Sequence, residues 1–274
     1  MPGGDTQHAA QLIAGGAALV AGSVLSDSSV EHYRGSFANT AMVLPLGASA
    51  ISLVHDGALA ARIGASGAPS PWSIGIHAAS MGVGTAGLGF HIYNIVKQPG
   101  GFSLGNFFYQ APVGAPAALI VAGALGAASQ ALGSGVATLG PVPLLSGRAL
   151  AGFTALGLAG TAGEAALLHF RGAYHNPAMW LPVAIPPVAA LALARAALTG
   201  RVTWITTASL AATAALGLLG SAFHAYGVSR NMGGWKNWRQ NLLAGPPIPA
   251  PPSFTGLAIA GLGALLLIRR FARG

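Results

Sequence analysis

Apolar and polar positions in this chain segregate on a scale of about twenty residues. Eight mainly apolar runs, at 9–26, 39–61, 72–93, 115–138, 147–170, 178–198, 203–226 and 253–271, are set apart by polar stretches. A helix needs about 20 mostly apolar residues to cross the hydrocarbon layer of a bilayer. The pattern therefore predicts eight transmembrane helices and an all-α, polytopic integral membrane protein. Pro45 falls in the second run and Pro182, Pro186 and Pro187 in the sixth. Kinks are expected there, because a proline inside a helix frees a carbonyl that neighbours must satisfy.

The runs are not independent of one another. The segment His32-Tyr33-Arg34-Gly35-Ser36-Phe37-Ala38-Asn39-Thr40-Ala41-Met42-Val43-Leu44-Pro45 returns as His169-Phe170-Arg171-Gly172-Ala173-Tyr174-His175-Asn176-Pro177-Ala178-Met179-Trp180-Leu181-Pro182, with eight of fourteen positions identical. Phe90-His91-Ile92-Tyr93 and Gly100-Gly101-Phe102 return as Phe223-His224-Ala225-Tyr226 and Gly233-Gly234-Trp235. Asn106, Pro112, Ala115 and Pro116 then match Asn241, Pro247, Ala250 and Pro251. Three ordered blocks of agreement predict a tandem duplication. Residues 1–138 form the first four-helix repeat and 139–274 the second. An even number of spans per repeat implies a pseudo-two-fold axis along the membrane normal. All matched blocks then fall on one face, which also carries the long loops 94–114 and 227–252.

Composition agrees with a membrane setting. Hydrophobic residues make up 53% of the 274 and charged ones 7%, against about 25% charged in soluble domains. The formal net charge of +8 comes from single basic residues at the ends of apolar runs, where they reach lipid headgroups. No long basic tract is present, so nucleic-acid binding is not expected. Cysteine is absent, which excludes iron–sulfur clusters and thiolate ligation. The short-loop face collects Arg62, Arg148, Arg195, Arg201, Arg269, Arg270 and Arg273. Arg34, Lys97, Arg171, Arg230, Lys236 and Arg239 belong to the other face. The dense C-terminal arginines place both termini in the cytoplasm of a bacterial inner membrane, and the motif face outside.

Ionisable groups at membrane depth are costly and point to function. His77 and His91 are fourteen residues apart on the third span, sharing a helix face about 21 Å apart along the axis. His55 reaches a depth near that of His77, and His91 has His224 as its repeat mate. Two pairings follow, His55 with His77 and His91 with His224, at two depths of the bilayer. With no cysteine available, paired imidazoles are what a b-type haem requires. These four histidines are therefore the expected haem (metal) ligands, with Asp56 beside His55 as an orienting acid. Hydrogen bonding that merely stabilises the fold is the competing reading for the outer pair.

His32, Arg34, His169 and Arg171 form a second set, with the duplicated acids Asp27 and Glu164 each five residues before a histidine. The set would grip an anionic group such as a haem propionate or a quinone headgroup, or fix the helix–loop–helix corner through Arg–acid pairs. His175 replaces Ala38 and breaks the symmetry of that block, pointing to the second repeat for any specialised site. The proline-rich stretch 246–252 is expected to be a rigid connector and a docking surface. The resulting expectation is a non-catalytic membrane subunit of a redox complex, binding haem b or quinone and anchoring a protein partner on the long-loop face. A transporter or channel along the seam between repeats, and a purely structural anchor, are the alternatives.

Overall fold

The computed structural model describes residues 3–61, 69–110 and 112–273; Arg62, counted above on the short-loop face, lies outside them. The long helices are α1 (Gly4–Arg34), α2 (Leu44–Ala61), α3 (Pro71–Val96), α5 (Gly114–Gly133), α6 (Arg148–Arg171), α7 (Leu181–Thr199), α8 (Trp204–Arg230) and α10 (Pro252–Phe271). Two short helices, α4 (Leu104–Tyr109) and α9 (Trp238–Ala244), lie in the long loops. A two-residue hairpin, β1 (Thr138–Leu139) with antiparallel β2 (Val142–Pro143), joins α5 to α6. Among the described residues seven helices are long and apolar enough to cross a membrane: all the long ones but α3. The 26-residue α3 matches them in length, but His77, His91 and several glycines dilute its apolar content. The protein is thus a helical, polytopic membrane protein.

The prolines behave differently from expectation. Pro45 and Pro182 each occupy the first turn of a helix, α2 and α7. The amide missing there would have had no intrahelical acceptor, so proline starts these helices without breaking them. Only Pro186 and Pro187 lie inside α7. Their freed carbonyls fall within a helix packed on both α6 and α8.

Helices α1, α5 and α10 form the buried centre, with α6 and α7 contributing their inner faces. Small residues make this possible. Gly16 of α1 and Gly256 of α10 meet so closely that a Cβ on either would lie 2.5 or 2.6 Å from the other's carbonyl oxygen. Such close backbone approach is how helices gain packing energy in a bilayer, where burial of apolar surface gives little. The outer helices expose large apolar side chains such as Val54, Leu156, Leu191 and Leu198. Trp72 and Trp204, both 70% exposed or more, mark one end of the bundle; Trp180, Trp235 and Trp238 mark the other, as belts of interfacial aromatics do.

The matched sequence blocks adopt matching local structures. Ser36 and Phe37 take φ of 54° and 47°, and Ala173 and Tyr174 take 55° and 47°. In each corner the second left-handed residue returns its amide to the histidine carbonyl, Phe37 to His32 at 2.9 Å and Tyr174 to His169 at 3.1 Å. Asn39 and Asn176 then cap short 3₁₀ turns, each accepting from an amide two residues on at 2.9 Å. In the long loops, Asn106 donates to the Gly101 carbonyl at 2.7 Å and Asn241 to that of Gly234 at 2.8 Å. Left-handed φ costs a non-glycine residue about 1–2 kcal/mol. Ala173 has no side-chain role in the corner, so Ala173→Gly is expected to raise the melting temperature by about 1–3 °C in detergent. A fall in Tm would mean that the corner is not strained.

Candidate functional sites

Helices α1, α2, α3 and α5 pack as a four-membered ring in which α1 and α3 are diagonal; α6, α7, α8 and α10 repeat the arrangement with α6 and α8 diagonal. The duplicated histidines come from these diagonal helices. His169 of α6 and His224 of α8 bring their ring centres to 6.4 Å at an interplanar angle of 73°. His169 Nδ1 donates to the Met179 carbonyl at 2.8 Å and His224 Nδ1 to that of Pro247 at 2.7 Å. A carbonyl only accepts, so each Nδ1 carries the proton and each Nε2 keeps its lone pair. Neither Nε2 has a protein hydrogen-bond partner among the described residues. His32 and His91 repeat this anchoring: His32 Nδ1 donates to Met42 O at 2.7 Å, and His91 Nδ1 to Pro112 O. His32 of α1 and His91 of α3 likewise lie on the diagonal helices of their ring. His224 is therefore paired with His169, in its own four-helix ring. This replaces the pairing of His91 with His224 expected from depth alone, because depth along a helix leaves open which helix lies across the bundle.

His55 and His77 do come together, with ring centres 5.2 Å apart. Their surroundings do not suit a shared haem. His77 Nε2 is bonded to Asp56 Oδ1 at 2.8 Å, and His55 Nε2 lies 3.0 Å from Ser73 Oγ. His77 and Asp56 are almost wholly buried, and α5 crosses so close that no macrocycle would enter between them. Asp56 was expected to orient His55; it bonds His77 instead.

The two motif arginines are committed to structure. Arg34 pairs with Glu31 and donates to the Leu242 and Gly245 carbonyls at 3.4 Å. Arg171 lies over the Phe108 ring at 5.6 Å. The acids expected to salt-bridge these arginines do other work: Glu164 accepts from the Gly114 amide at the start of α5 at 3.1 Å, a carboxylate at a helix N-terminus. Asp27 stands near Glu31 and Glu164. His175 bonds the Gly172 carbonyl at 3.0 Å and is exposed.

The proline-rich stretch is bound along its length. Pro247, Ile248 and Pro249 present carbonyls to His224, to Ser221 at 2.9 Å and to Ser23 at 2.6 Å. Prolines have no amide to satisfy, so side chains from α1 and α8 complete the segment's hydrogen bonding and fasten it across the two four-helix rings. A cleft of about 460 Å³ opens beside it, lined by Tyr33, Arg34, Ser36, Phe37, Arg239 and Leu243. The chain matches no protein-family model, no curated protein and no solved structure.

Proposed function

We propose that the protein is a membrane-embedded electron-transfer subunit that spans the bilayer eight times as two four-helix repeats and holds b-type haem between diagonal histidines. The His169–His224 pair carries this reading. Its two imidazoles, on facing diagonal helices, are the residues that would hold a haem iron between them. Their ring centres stand 6.4 Å apart, and both rings are held by backbone carbonyls in the tautomer that leaves Nε2 to ligate. His32 and His91 would hold a second group in the same way. Haem would supply one-electron chemistry, while the chain orients the imidazoles and excludes water with its apolar helices. Arg239 and the cleft beside Tyr33 would meet the carbonyl oxygens of a quinone headgroup or an anionic haem propionate. The long-loop face would anchor a partner protein, with both termini on the cytoplasmic side of a bacterial inner membrane.

The test is an absorption spectrum of the purified protein, oxidised and after dithionite, with a pyridine haemochrome assay. The expected result is a Soret band that His224→Ala reduces by at least half, one of two sites being lost. A haem-free wild type, isolated from cells supplied with haem precursor, would overturn the reading. Transport along the seam is the second reading, favoured by the proximity of Asp27 and Glu164, matching positions of the two repeats. Solute uptake by liposomes carrying the haem-free protein would support it.

A further inference from the structure

The two repeats provide an internal comparison at the centre of each bundle. In the second, Gly261 of α10 faces Leu193 of α7 and Leu210 of α8, and a Cβ placed on it would lie 3.1 Å from each leucine. Both leucines are fully buried. In the first, Gly126 of α5 takes the same place, facing Asp56 of α2 and His77 of α3; a Cβ there would lie 2.8 Å from Asp56 Oδ1 and 2.5 Å from His77 Nε2. The same three-helix junction is thus filled by hydrocarbon once and by an acid and an imidazole once. Hydrocarbon suffices for the fold, and a buried ionisable pair is no more stable than apolar side chains of similar size. Packing does not account for Asp56 and His77.

Two observations point to what does. Asp56 Oδ2 has no hydrogen-bond partner although the residue is 0% exposed, and such an orphaned acceptor calls for a missing ligand. His55, whose counterpart in α7 is Ala192, adds a third donor, and ligating atoms of His55, Asp56 and His77 all lie within 4.8 Å of one another. The 2.8 Å between His77 Nε2 and Asp56 Oδ1 is the separation of adjacent donors in a coordination shell: bonds of about 2.1 Å would subtend about 85° there. Two imidazoles and one carboxylate form a donor set for a first-row transition metal rather than for calcium or magnesium, which favour oxygen alone.

We propose that His55, Asp56 and His77 bind one divalent first-row transition-metal ion in the interior of the first repeat. The site is separate from the diagonal histidine pairs and does not depend on their binding haem. The test is a Co²⁺ titration of chelator-treated full-length protein in detergent, read by the visible d–d bands, with bound zinc measured by elemental analysis after Zn²⁺ exchange. Wild type is expected to take one equivalent. The Asp56→Leu/His77→Leu double variant, which installs the pair that the second repeat already accommodates, is expected to take less than a tenth of that while keeping its Soret band. Asp56→Asn keeps the shape of the side chain and is expected to weaken Co²⁺ binding at least tenfold. No uptake by wild type, or equal uptake by all three proteins, would overturn the site whether or not haem is present.

Discussion

Replacing His77 by leucine alone is expected to destabilise the metal-free protein by about 3–5 kcal/mol, the cost of breaking a buried acid–imidazole pair by removing one partner. In the native structure Asp56 Oδ1 meets His77 Nε2 and Oδ2 meets nothing. The single substitution would leave both oxygens unpartnered at a position closed to water. Asp56→Leu alone leaves an imidazole nitrogen unpaired and is expected to cost less, about 1–3 kcal/mol. Combining the two removes every orphaned group and recreates the Leu193–Leu210 arrangement around a glycine. The double variant should therefore lie within about 1–2 kcal/mol of wild type, giving a coupling energy of at least about 2 kcal/mol. Reversible unfolding in mixed detergent micelles measures all four corners of the cycle. Simple additivity would show that Asp56 and His77 do not compensate each other.

The long helices were legible because a bilayer imposes one period and one length on the chain; they begin and end near the eight apolar runs, although only seven are apolar enough to cross a membrane, α3 falling short. Their ends moved where local chemistry decides: α1 runs on to Arg34 through Asp27 and Glu31, past the apolar run that ended at residue 26. Helices α4 and α9 were missed, being only a turn or two long; Ser103 capping the Asn106 amide was the available signal for the first. Matching blocks of sequence became matching corners, because the left-handed turn, the asparagine cap and the histidine–carbonyl bond are all local. The partners of those histidines were not legible. They depend on which helices stand diagonal in each ring, and that is fixed by side-chain fit between helices remote in sequence. The contrast between the centres of the two four-helix rings was not legible either, because Leu193 and Leu210 lie outside the matching sequence blocks. Its meaning needed Gly126 and Gly261, which show that these leucines and the Asp56–His77 pair fill one and the same junction.

Glycines that make close helix contacts cannot be told in the sequence from those that face open space, and the structure separates the two kinds. Gly16→Leu is expected to abolish the folded protein, and Gly16→Ala to cost about 3 kcal/mol, at the upper end of overpacking effects. The first atom that the new Cβ meets, at 2.5 Å, is the backbone oxygen of Gly256, which cannot rotate away as a side-chain end would. Relief requires α1 and α10 to separate, and both belong to the buried centre against which the other helices pack. Gly256→Ala should cost a similar amount, because its Cβ would stand 2.6 Å from Gly16 O. The two changes together should cost clearly less than their sum: one displacement of the helices relieves both clashes. Gly82→Ala is the contrasting case, with no atom within 4 Å of the new methyl. It should be neutral or stabilising by up to about 1 kcal/mol through helix propensity. Thermal unfolding followed by size-exclusion chromatography in detergent orders the alanine variants. A Gly16→Ala protein as stable as Gly82→Ala would mean that α1 and α10 do not meet at Gly16 and Gly256, and the central packing described above would have to be redrawn.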